Sequence, residues 1–152
     1  MPLPKPLRLA LPAAAIVALG GAASVWCRRT PTPDPVLPLP EYTTPSATMR
    51  AHGNDPFEIV ARPASPPPPK VVAYAFGIGE LEPNPIDAPI EVLPGGVVRL
   101  KGSSRALVGA RQARLVVGTA SSIHRFDDAV SRARSGESDS AIRVLTIAIT
   151  HD

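Results

Sequence analysis

Hydrophobic residues follow three different rhythms along this chain. Residues 9–27, LALPAAAIVALGGAASVWC, form one uncharged run, with Lys5 and Arg8 before it and Arg28 and Arg29 after it. Residues 30–70 show no sustained apolar period and are broken repeatedly by proline. From residue 71 onward, short apolar runs alternate with turn signals, as expected of packed strands and helices.

In this last region VVAYAFGI, residues 71–78, is β-prone and is ended by Gly77 and Gly79. PIEVLPGGVVRLKG predicts two short strands, 90–93 and 97–101, joined through Pro94, Gly95 and Gly96. In the second strand Val98 and Leu100 share one face, while Val97, Arg99 and Lys101 share the other. Residues 103–118 predict a helix capped by Ser103 or Ser104 and stopped near Gly118. Its apolar stripe is Leu107, Ala110, Ala113 or Arg114, and Val117, widened by Val108, Leu115 and Val116. Gly109 weakens that helix, and strands through 105–110 and 113–119 compete with it. SSIHRF predicts a short strand. DDAVSRARSG predicts a helix opened by Asp127 and Asp128, and AIRVLTIAIT a closing strand with two apolar faces, hence interior to a sheet. The expected fold class is α+β: a small α/β sandwich at residues 71–152, its helices on one sheet face, preceded by an N-terminal hydrophobic helix at 1–29 and a disordered proline-rich linker at 30–70.

The N-terminal run is just long enough, at about 1.5 Å per residue, to cross a hydrocarbon layer of about 30 Å. Its alanine content, Pro12, Gly20 and Gly21 also suit a secretory signal, with Ala22 and Ser24 placed for cleavage. An uncleaved anchor and a cleaved signal peptide both stay open. Cys27 raises acylation, but Trp26 is too large for the position before a lipidated cysteine, and it suits an aromatic anchor beside Arg28 and Arg29.

Composition sharpens the middle region. Of 20 prolines, 12 fall in residues 30–70, and PPPP at 66–69 supplies no backbone N–H to a ladder. An extended polyproline spacer of that length would reach about 120 Å at most. NDPFEIVA, residues 54–61, interrupts the pattern; it is read as unstructured, with a short docking strand as the alternative. The net charge of +3 divides unevenly: residues 30–91 carry eight acids against three bases, residues 92–152 nine bases against five acids. Arg99, Lys101, Arg105, Arg111 and Arg114 are therefore the candidate binding surface, with acidic partners in view.

Residues 96–130 resemble the second half of a BON domain: a G-x-V-x-L-x-G strand, a helix with small residues, and a short strand ending in an Asp-containing turn. The matching positions are Gly96, Val98, Leu100, Gly102, Ala110, Ala113, Val117, Ile123 and Asp128. The resemblance implies an exported envelope protein, self-assembly and lipid association. Proline-rich GELEPNPIDAP stands where that domain opens with a helix, and Ser122-Ile123 replaces its Gly-Val pair.

Catalytic and cofactor signals do not assemble. His52, His124 and His151 lack paired metal-ligand spacing, GIGELE departs from the dinucleotide fingerprint, and Asp127 with Asp128 fit a helix start. The expectation is a protein that is not an enzyme, with no cofactor and no nucleic-acid partner. It is a non-catalytic envelope module, inner-membrane and single-pass with its C-terminal domain in the periplasm, or periplasmic if cleaved. Its expected partner is an envelope protein or a second copy, with anionic lipid as a further ligand. The alternative is a structural subunit of a secretion, pilus or energy-coupling apparatus.

Overall fold

The computed structural model describes Thr32 and residues 35–152. The expectations for the leader at 1–29, and for residues 30, 31, 33 and 34 of the spacer, lie outside the described residues. The described strands and helix belong to one compact unit, Asp34–Asp152.

Among the described residues nine strands build two sheets. The four-stranded sheet runs β1 (Tyr42–Thr43), β3 (Pro56–Pro63), β7 (Val98–Ser103) and β6 (Ile90–Val92), antiparallel throughout. The five-stranded sheet runs β2 (Thr48–Ala51), β9 (Arg143–His151), β8 (Gln112–Thr119), β4 (Val71–Ile78) and β5 (Asn84–Pro85), with β2 parallel to β9 and the other pairs antiparallel. Alternation decides the layers. In β3, Phe57, Ile59 and Ala61 are buried while Pro56, Glu58 and Arg62 are exposed, so this sheet has one dry face and one wet face. In β8, Ala113, Leu115 and Val117 turn toward the four-stranded sheet and Val116 turns the other way, so both faces are covered over this strand.

The larger core lies between the sheets. It joins Leu39, Tyr42, Phe57 and Ile59 from the proline-rich region to Val98, Leu100, Leu107, Leu115, Val117 and Ile147. The smaller core lies under one helix, α1 (Phe126–Ser135), and joins Phe76, Val116, Ile123, Ala129, Ala133 and Ile142. Asp128 opens α1 by accepting the amides of His124 and Arg125, at 3.2 and 2.9 Å. Gly136 closes it in the left-handed conformation, where a Cβ would be strained and would press on the Arg114 guanidinium.

The four prolines cross from one sheet to the other. Residues 64–70 link β3 to β4, and Pro67 packs on Gly96 at the β6–β7 turn, where no side chain would fit. The buried Tyr42 hydroxyl donates to the Gly96 carbonyl at 2.8 Å, fastening β1 to the same turn, and burial pushes its pKa above the ordinary tyrosine value. Residues 39–41 are tied to the far end of the chain: the Leu39 amide donates to the Ser140 carbonyl, and Arg143 donates to the carbonyls of Leu39 and Pro40 and pairs with Glu41.

Several expectations stand. The strands at 71–78, 90–93, 97–101 and 141–150, the turn at Pro94–Gly96 and the helix after Asp127 are all present, and β9 has neighbours on both sides. Others are corrected. Over residues 35–70 the disordered linker is replaced by β1, β2 and β3, because Tyr42, Phe57, Ile59 and Ala61 have an apolar sheet face to cover. NDPFEIVA is therefore mostly strand. The helix expected over 103–118 is a short 3-10 turn, Ser104–Leu107, followed by β8. Gly109, at a φ of 81°, takes a conformation that ends a helix, and Leu115, Val116 and Val117 are β-branched or bulky residues buried on alternate faces. SSIHRF is a turn, with the Ser122 hydroxyl bonded to Thr119. The architecture is mostly β with one helix among the described residues, and its second sheet was not anticipated.

Candidate functional site

The five predicted binding residues do not form one surface. Arg99 and Lys101 lie on the wet face of the four-stranded sheet, each opposite an acid in the neighbouring strand. Arg99 meets Glu91 at 2.5 Å, and Lys101 approaches Glu58 at 4.0 Å. The hydrogen bonds that Arg99 donates to Glu91 push its pKa above the ordinary value. Arg105 sits exposed on the 3-10 turn, and Arg111 at the mouth of β8 pairs with Glu80 at 2.6 Å. Arg114 points to the opposite side of the five-stranded sheet. Its guanidinium donates to the carbonyls of Ala133 and Arg134 at 2.5 and 3.0 Å, where α1 ends, which is the position at which a cation stabilises a helix. Arg114 is thus a structural residue, Arg99 and Arg111 are paired with neighbouring acids, and Lys101 makes no hydrogen bond to Glu58.

A different feature appears where Arg111 stands. The loop after β4 and the 3-10 turn before β8 enclose a cleft of about 500 Å³, with Gly77, Gly79 and Gly109 in its wall. Gly79 approaches the Gly109 carbonyl so closely that a Cβ would collide with it. Two large apolar side chains line this cleft and are exposed: Leu81 at 85% and Val108 at 77%. Leu81 stands between two residues that make ion pairs. Glu80 binds Arg111 on one side, and on the other Glu82 binds Arg134 at the C-terminal turn of α1. The result is two exposed apolar side chains among compensated charges, a mixed surface of the kind protein contacts use.

Sequence reading missed Leu81 and Val108. The available signal was their isolation: Leu81 stands between two glutamates before a proline, and Val108 precedes a turn glycine, so neither belongs to an apolar period. The histidines serve the fold or face solvent. His151 Nε2 lies 2.6 Å from the Ala110 carbonyl, closing the end of β9 onto the cleft loop, whereas His52 and His124 are exposed. Among the described residues no group of three or more His, Cys, Asp and Glu is placed to hold a metal ion, and no helix is long and apolar enough to cross a membrane.

No protein-family model matches this chain, and no curated protein matches it.

Proposed function

We infer that this chain is a non-catalytic envelope protein whose β-sandwich module binds another envelope protein through the Leu81 and Val108 end. The observation that carries the reading is the presence of these two exposed apolar side chains on one cleft, Leu81 flanked by the ion pairs Glu80–Arg111 and Glu82–Arg134. The apolar run at residues 9–27 supports delivery to the inner membrane or export. The long reach of a forty-residue tether drops out of the reading, since residues 35–70 belong to the folded unit. The reading does not use the BON-like resemblance.

The test compares the full-length chain with Leu81→Glu and Val108→Glu in membranes gently solubilised and resolved by native electrophoresis. The chain is expected to fractionate with membranes or the periplasm and to run in a complex larger than itself, and each variant should release it. Recovery in the cytosol, or an unchanged complex in both variants, would overturn the reading.

A further inference from the structure

Most strand ends of the two sheets carry a device that discourages pairing. β5 is two residues long and contains Pro85, β6 is bounded by Pro89 and Pro94, and β2 presents the exposed Arg50. The edge covered by β1 is different. β1 pairs only with Pro63 and Arg62, and leaves the rest of β3 uncovered.

Proline chemistry explains where that cover stops. Continuing the register that sets Thr43 opposite Arg62 would place Pro45 opposite Val60. That is a hydrogen-bonded position, because two steps back in the same ladder the Ala64 amide donates to the Glu41 carbonyl. Pro45 has no N–H to give, so the chain departs. Three local bonds then fix its departure: Thr44 Oγ1 to the Ser46 carbonyl, Ser46 Oγ to the Thr48 carbonyl, and the Thr48 amide to Ser46 Oγ.

The direction of the uncovered groups follows from alternation. The Ser104 amide donates to the Asp55 carbonyl, so odd-numbered residues of β3 face β7; the Lys101 amide donates away from β3, to Pro89, as the same parity requires. Glu58 and Val60 therefore aim N–H and C=O away from β7, and among the described residues no backbone group answers them. They face a cleft of about 320 Å³, lined by Glu58, Ile59 and Val60 on one wall, by the 44–48 loop on the other, and by Met49 and Ile147.

We propose that this cleft accepts an extended segment of a partner protein as an added strand on β3. The partner's backbone exchanges hydrogen bonds with Glu58 and Val60. Its side chain opposite Ile59 enters the cleft toward Met49 and Ile147 and is apolar. Its side chain opposite Glu58 lies on the wet face and is basic, because Glu58 is exposed there and Lys101, its neighbour on the β7 side, comes no nearer than 4.0 Å. The recognised pattern is thus alternate apolar and basic residues in extended conformation. This surface is separate in sequence from the Leu81 and Val108 end and does not depend on it.

The test uses the full-length chain in detergent micelles and the synthetic peptide acetyl-KVKVKVK-amide. Saturable binding is expected, with the amides of Glu58 and Val60 slowing in hydrogen exchange while those of Phe57, Ile59 and Ala61 keep their protection. N-methylating alternate peptide amides should weaken binding by about tenfold or more, the loss of a ladder bond or two. Val60→Pro removes an edge-facing donor, which an edge strand tolerates, and should abolish binding while the thermal transition is retained. If that variant does not fold, the N-methylated peptide still decides with the protein unchanged. Equal binding by the N-methylated peptide or by the block-ordered KKKKVVV would overturn the proposal. So would protection of Glu58 and Val60 without peptide: constant with protein concentration, it would assign the edge to the chain's own residues; rising with concentration, to a second copy.

Discussion

The two cores of this unit differ in where their residues come from. The core under α1 is assembled wholly from residues after β3, namely Phe76, Val116, Ile123, Ala129, Ala133 and Ile142. The core between the sheets needs both halves of the chain, because Phe57, Ile59 and Ala61, beside Leu100 in one sheet, join Leu39 and Tyr42 in covering Leu115 and Ile147 of the other. The contrast teaches that proline content does not mark a spacer when the intervening residues alternate. Proline here limits strand length and chooses crossings, while the alternating Phe57, Ile59 and Ala61 decide burial.

Removing the first half is the strongest way to break that comparison. A chain cut to residues 71–152 should lack a cooperative urea transition, since it loses β1, β2 and β3 and exposes the larger core. An intact sharp transition in that fragment would mean that the smaller core alone sustains a fold.

Neighbouring residues of β8 separate the two cores more finely. Leu115→Ala should cost about 3 kcal/mol, in the range of buried leucine truncations, and Val116→Ala about 2 kcal/mol. Native-state hydrogen exchange should show Leu115→Ala weakening both sheets and Val116→Ala loosening α1 most, because Val116 is packed under that helix.

Tyr42→Phe should cost about 1 kcal/mol, by removing the donor to the Gly96 carbonyl. The native pKa of Tyr42 lies above its ordinary 10.0 because the hydroxyl is buried. Its contribution is therefore full below that value and is lost as the pH rises through the raised native pKa. Stability measured across the alkaline range should fall less steeply in the phenylalanine variant.

The smallest effect concerns Asp139. Burial alone would raise its pKa, but the amides of Ala141 and Ile142, together with Arg132, outweigh it and hold the carboxyl below its ordinary 3.8. This contribution is complete above that value and fades as the pH falls through the lowered native pKa. Asp139→Asn should flatten the acid limb of stability against pH, with a change near neutrality of well under 1 kcal/mol expected for so exposed a pair.

Legibility from sequence followed the range of the physics. Local signals were readable: the Pro94–Gly96 turn, the alternation of Val98 and Leu100, the acids at the start of α1, and the central place of β9, although its Thr146, Ala148 and Thr150 face is exposed. Residues 103–118 failed because a three- and four-residue apolar pattern and a two-residue one coincide over ARLVV, and only the sheet partners Tyr74 and Val144 beside Val116 decide between them. The prolines hid the second sheet, since each one forbids a ladder bond only on one side. The basic set was legible as charge but not as surface: Glu91 and Glu80 are brought beside Arg99 and Arg111 by sheet pairing and loop closure, and Arg114 turns to the end of α1. Leu81 and Val108 escaped because exposure is a tertiary property.

Hydrogen exchange along β3 in the full-length protein tests most directly that residues 35–70 are part of the fold. The amides of Phe57, Ile59 and Ala61, directed at β7, should exchange only through global opening, with the same free energy as the amides of β8. Exchange of those three amides at free-chain rates, beside a protected β8, would contradict the account.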